Sequence, residues 1–182
     1  MNTIESSVIG TLVQNEKIEN WWISKPHNIP LIEEELPISF MDYAPAEDST
    51  FATEADAALK NFLDLNSFYK LKIAPDVFAN FVDYCSYINE EDIPEKMKGA
   101  QPLSIWSFVY PSQVFVSRRL SNDKDIYVVL ACECEWEKEH GLQLVFRQGK
   151  QLTRVSDQDG HLTDSDAFDF PDSEDKMLSS FK

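Results

Sequence analysis

Residues 126–155 read IYVVLACECEWEKEHGLQLVFRQGKQLTRV, and their alternation decides the fold. Successive side chains of a strand point to opposite faces. Ile126, Val128, Leu130, Cys132, Cys134 and Trp136 therefore share one face, and Tyr127, Val129, Ala131, Glu133, Glu135 and Glu137 share the other. The first face is apolar throughout and is expected to meet the core. The second begins apolar and ends acidic, so it should emerge from beneath cover into solvent. Loop parity then constrains the next strand. A four-residue loop would set leucines against glutamates. A three-residue loop, Glu139-His140-Gly141, sets Trp136 opposite Leu144, Cys134 opposite Phe146 and Glu133 opposite Arg147. Gly141 suits the left-handed third position of such a loop. Gln148-Gly149 reads as a second tight turn, leading to Leu152 and Val155. The stretch is thus a three-strand meander.

Working outward, Trp106–Arg118 reads as a strand interrupted at Pro111-Ser112, and residues 89–102 as a charged loop. Thr53–Leu65 repeats Ala55, Ala58, Leu59, Phe62 and Leu63 at helical spacing. Pro75 suits a first helical position, and Val77, Phe78, Phe81, Val82, Cys85 and Ile88 continue that second stripe. Ser7–Gln14 and Lys17–Ser24 read as strands about a turn at Asn15-Glu16, and Leu36–Tyr43 as another. Strands, helices, then strands predict an α+β fold: a mainly antiparallel sheet with a helical pair inserted between N-terminal strands and the C-terminal β-meander. Residues 1–170 are expected to form a single α+β domain, with residues 171–182 an acidic tail.

The chain has 182 residues and a formal net charge of −16. The 43% hydrophobic and 12% aromatic content excludes a disordered acidic chain. The charge disfavours phosphate contacts, so neither nucleic acid nor an anionic membrane is an expected partner. The excess is uneven. Residues 1–100 hold 18 acidic and 7 basic residues, residues 101–154 hold 6 and 7, and residues 155–182 hold 8 and 2. No signal peptide or membrane span is evident. Three cysteines without framework spacing suggest a reduced, cytoplasmic protein.

Cys134-Glu135-Trp136-Glu137 followed by Glu139-His140-Gly141-Leu142 resembles the Cys-x-Trp-acidic-x-Glu-His-Gly block of an uncharacterised bacterial domain family. The Trp106–Val116 strand and the helical pair before it are similar too, and the likeness spans about residues 18–170. Only the block is specific. The family is in part linked to polymorphic-toxin immunity, so the resemblance implies a cytosolic binding protein rather than an enzyme. It supplies no catalytic residue to carry over, and the acidic tail departs from it.

Other readings are weaker. Cys132, Cys134, Glu139 and His140 include zinc-type ligands, but a second ligand pair is missing and strand alternation already accounts for both cysteines. A Cys134 nucleophile would sit between Glu133 and Glu135, which oppose the thiolate. Asp157-Gln158-Asp159-Gly160 resembles part of a calcium loop, but Val155 would occupy its first ligand position. Neither metal nor cofactor is expected. The leading expectation is a small acidic protein that occludes a basic protein partner. Trp22, Glu33, Glu34, Glu35, Glu133, Glu135, Glu137, Asp157, Asp159, Asp164 and Asp166 are the candidate contacts, and Cys134, Trp136, Glu139, His140 and Gly141 the structural motif. The rivals are a metal-dependent or catalytic protein built on Glu139-His140, and a housekeeping or phage-linked module.

Overall fold

The computed structural model describes residues 2–182. Its main sheet is built from β1 (Thr3–Ser6), β2 (Gly10–Gln14), β3 (Trp22–Ser24), β6 (Ile38–Phe40), β7 (Val109–Arg118), β8 (Ile126–Cys134), β9 (Leu142–Arg147) and β10 (Gln151–Ser156). Two short strands, β4 (His27–Ile29) and β5 (Glu34–Leu36), pair with each other. The eight strands lie in the order β1-β2-β3-β6-β7-β8-β9-β10. Every pairing is antiparallel except β6 with β7. That parallel pair needs a crossover, and the two helices provide it. The fold is α+β, with the helical pair lying between the N-terminal strands and the meander.

Helix α1 (Phe51–Leu63) buries Phe51, Ala55, Ala58, Leu59 and Phe62, a stripe at helical spacing that meets β7 and β8. Asp48 Oδ1 accepts the Phe51 backbone N–H and caps its first turn. Helix α2 (Ser67–Cys85) begins eight residues before the expected start at Pro75. Asn66 is the reason: its side chain accepts from the Phe68 and Tyr69 backbone amides. Pro75 is exposed inside the helix, where its missing N–H leaves a carbonyl to water rather than to the core.

The N-terminal strands also differ from expectation. Residues 7–9 form a turn, because Ser6 Oγ accepts the Val8 and Ile9 amides and Asp56 of α1 accepts from both Ser6 and Ser7. Lys17–Trp21 is loop throughout, wound by Asn15 Oδ1 accepting the Lys17 and Ile18 amides. The Pro111-Ser112 interruption is a bulge in β7 opposite Cys132 and Ala131.

The β8–β9 register corrects the three-residue hairpin. Val128, not Cys134, lies opposite Phe146, and Tyr127, not Glu133, lies opposite Arg147. The shift is six residues, an even number, so every predicted face survives. Ile126 through Trp136 at alternate positions are all at most 4% exposed. The longer loop exists because the chain turns inward after Cys134. Trp136 packs edge-on against Phe81 of α2, and its Nε1 donates to Asn80 Oδ1 at 3.0 Å. Glu137 then accepts the Glu139 and His140 amides, and Gly141 closes the turn at φ +66°. A side chain at Gly141 would strike the Cys132 carbonyl, 2.7 Å from a Cβ placed there.

The helices cover one face of the sheet. The C-terminal residues 157–182 lie against the other, and Leu162 and Leu178 pack on Tyr127, Val129 and Val145. Residues 171–182, set apart on sequence, pack here: Asp175 is 2% and Leu178 3% exposed. Two buried arginines hold this cap. Arg119, 1% exposed at its side chain, meets Asp123, Asp166 and Asp172 at 2.7–2.9 Å. Arg154, equally buried, meets Asp159 and Asp164. Between them lies α3 (Asp164–Phe168), capped by Thr163 Oγ1.

Candidate functional site

The arginine pairs divide the candidate acids into two groups. Asp159, Asp164 and Asp166 are ion-paired within the protein to Arg154 and Arg119. These pairs hold the cap down. Glu135 receives hydrogen bonds from Lys96 and Tyr110, which hold its carboxyl below the ordinary range. Glu137 caps its own loop. Asp157, Glu33, Glu34, Glu35 and Glu133 remain exposed, and none has an ion-pair partner among the described residues.

Two of the acidic stretches lie toward the same end of the sheet. β5 carries Glu34 and Glu35 alongside β7, whose Tyr110 is paired with Glu133 of β8. The 33–35 run is distant from residue 133 in sequence. The parallel β6–β7 pairing brings the two together.

The tryptophan pair is the reverse of the expectation. Trp22 is 5% exposed, and its Nε1 donates to the Tyr43 carbonyl at 2.8 Å. Trp21 is the half-exposed one, on the outer face. Its neighbours mislead: Ile23 shares the face of Trp21 and Ser24 that of Trp22. Ser24 is nevertheless buried, because its hydroxyl donates to the Lys25 carbonyl and accepts the Ile38 amide.

The outer face holds a cleft of ≈ 720 Å³ between the cap and the uncovered strands. Strand registers place Ile23, Ser39, Phe115, Val129 and Val145 in one row across it. Trp21 and Phe115 meet edge to face, with centroids 5.8 Å apart, and form one wall. Met41 lies beside them, and His161 and Leu162 of the cap stand opposite. Gln143 lies in the cleft lining at 5% exposure. Its Nε2 donates toward Ser156 Oγ, Asp159 Oδ1 and the His161 carbonyl, so its amide orientation is unambiguous. No side chain in the expected contact set belongs to this cleft except Asp166. The missed signal was the outer-face row, which requires the sheet order.

Cys132 and Cys134 lie on the inner face, and burial pushes both thiols up, Cys134 to about 11. His140 is at the surface, its Nδ1 3.5 Å from Glu137 Oε1. Cys134 Sγ points to the Glu137 carbonyl at 3.5 Å. Ellman's reagent at neutral pH should therefore modify the half-buried Cys85 slowly and leave the other two until denaturant is added. Rapid labelling of Cys134 in the folded protein would contradict this geometry. Among the described residues, no group of three or more His, Cys, Asp or Glu side chains is placed to hold a metal ion. No helix among them is long and apolar enough to cross a membrane.

A mostly antiparallel sheet with helices on one face and an arginine-held cap on the other defines a small α+β protein with an aromatic cleft and an acidic sheet end. The chain belongs to the family of the domain of unknown function DUF6985, which matches residues 8–162. The match takes in the whole sheet from β2 onward, the helical pair and the Cys134–Gly141 block. Neither a curated protein nor a solved structure matches the chain.

Proposed function

We propose that this protein is a small acidic binding protein of the cytoplasm that captures a basic protein. Its most concrete form is an immunity-type protein that blocks a basic toxin by occlusion and electrostatic complementarity. One observation carries the reading. With Asp159, Asp164, Asp166 and Asp172 engaged by the internal arginines, Glu33, Glu34, Glu35 and Glu133 stand exposed and without an ion-pair partner toward one sheet end. Exposed acids cost little to hold in water and attract a cationic surface over about 8–10 Å at physiological salt. They raise the association rate and select against anionic partners. In the reading, they take the place of phosphate or substrate carboxylates in a basic groove.

The test is calorimetry against the toxin encoded beside the gene for this chain, alongside an assay of that toxin's activity. Binding should weaken as salt rises, and replacing Glu33, Glu34 and Glu35 together by Gln should slow association about tenfold. A toxin left fully active, with no heat of binding, would overturn the proposal.

A further inference from the structure

The outer-face cleft lies beside the acidic end, and its chemistry is more specific than charge. Its aromatic wall is Trp21 with Phe115, and its floor includes Val129. The cations at its border are already committed. Arg118 holds Asp48 and Glu54, and Arg119 holds three aspartates. Gln143 spends both amide hydrogens inside the protein, while its Oε1 has no protein partner. No buried side-chain oxygen or nitrogen among the described residues is unsatisfied, so that oxygen opens onto the cleft. Gln158 likewise donates its Nε2 to the Cys132 carbonyl and keeps its Oε1 free. At the other end, Asp42 accepts from Trp21 Nε1 at 3.3 Å and is otherwise exposed. The cleft is therefore apolar and aromatic, with free acceptors at Gln143, Gln158 and Asp42, and with the Ser117 hydroxyl and the His161 ring as groups that can donate or accept.

The acidic surface continues from it. Val129 and Glu133 lie on the same face of β8, four residues or about 13 Å apart. Asp42 borders the opposite end. An aromatic anchor in the cleft would thus have a carboxylate to either side along the sheet face.

We infer that this cleft receives an aromatic side chain, foremost a tryptophan, from a segment of the basic partner in which lysines or arginines flank that residue. The inference rests on the reading of the protein as a binder of a basic protein. The ring would stack against Trp21 and Phe115, and its N–H would donate to Gln143 Oε1. A flanking cation two residues away in an extended segment advances about 7 Å along the backbone, and its side chain covers the rest of the way to Glu133. Such an arrangement, an aromatic anchor in a dry pocket with charges at the rim, is the usual form of an interface hot spot.

The test uses the isotope-labelled full chain and two capped pentapeptides, Lys-Lys-Trp-Lys-Lys and Lys-Lys-Ala-Lys-Lys, with chemical shifts read by NMR. The tryptophan peptide should shift the Trp21 indole N–H, Val129 and the Gln143 side-chain amide together with Glu133, and bind about tenfold tighter than the alanine peptide. The alanine peptide should shift only the exposed acids, Glu133, Glu33, Glu34, Glu35 and Asp42, and leave Val129 and the Gln143 side-chain amide unmoved. Trp21→Ala, and separately Met41→Lys, which adds a cation at the cleft without removing a core side chain, should each weaken the tryptophan peptide about tenfold and leave the alanine peptide unchanged or, for Met41→Lys, slightly weaker. Shifts at Glu133 without shifts in the cleft would overturn this inference and leave the charge reading standing. No shift anywhere with either peptide would overturn both. Tryptamine seated in the cleft as tightly as the pentapeptide would make it a small-molecule site and overturn the docking of a partner segment.

Discussion

Arg119→Ala is expected to destabilise the protein by about 3 kcal/mol and to release the C-terminal cap. The guanidinium lies 1% exposed among Asp123, Asp166 and Asp172, and removing it leaves three carboxylates facing one another. The cost falls at the lower end for a broken buried ion pair, because those carboxylates keep 12–32% exposure and can rehydrate. Ser165 and Asn122 join the same cage through Asp172, and Tyr127 through Asp123, so its loss reaches β8. Limited proteolysis should then cut within residues 163–181 at a rate that leaves the wild-type protein intact. Arg119→Lys should recover part of the stability, since an ammonium cannot make the forked contacts to Asp166 and Asp172.

The same cage sets an acid dependence. The Arg119 guanidinium holds Asp172 down to about 2 and lowers Asp166 as well. A carboxyl whose folded value lies below its unfolded value, near 4, contributes stability that is whole above about pH 4. That contribution is lost as pH falls through about 2. Urea denaturation at a series of pH values should therefore show the wild-type and Arg119→Ala stabilities converging between about pH 4 and 2. Curves that stay parallel over that range would show that the pairs do not carry the difference.

Gly149→Ala is expected to cost about 2–4 kcal/mol, from overpacking and a left-handed residue together. Gln148 and Gly149 turn β9 into β10 at φ +51° and +65°. Asn61 of α1 grips the turn through the Gln148 carbonyl at 3.0 Å. The turn lies so close to α1 that a Cβ at residue 149 would stand 1.9 Å from the Ala58 carbonyl oxygen. Helix backbone cannot yield as a side chain would, so either the helix or the meander must move. Gly160→Ala is the control. Its φ is +82°, but nothing lies within 4 Å of the added carbon. It should cost about 1 kcal/mol from backbone strain alone. Equal urea midpoint shifts for the two variants would exclude the steric cause.

The Gln148-Gly149 turn shows how much was legible. Its residue types announce a tight turn, but only the folded chain reveals that α1 leans on it. The Trp136 loop has the same character. Alternation assigns Cys134 and Trp136 to the inner face, where both are found. The loop length, though, depended on α2 offering Asn80 and Phe81 to the indole. Pro75 misleads because Asn66, a stronger start signal, lies nine residues upstream of it.

The candidate site was less legible than the fold. Counting charge located the acidic segments but could not say which acids would be spent inside. Asp159, Asp164 and Asp166 pair with Arg154 and Arg119, which lie in the near-neutral segment, where no local pattern marks them as partners of the tail. Trp21 and Trp22 could be assigned to opposite faces but not to inside and outside, because a buried serine satisfied by backbone looks polar in sequence.

What the sequence determined by itself is everything carried by local period: the strand faces of the meander, the inner stripe of α1, the class of the fold and the excess of negative charge. Tertiary structure alone decided the β8–β9 register, the joining of the two halves through β6 and β7, the fate of residues 171–182 and which acids remain free. The physical reason is that a period of two specifies a face but is blind to any even shift of register. Charges likewise act through distance in space, and the distances between Arg119 and its aspartates exist only after the chain has folded.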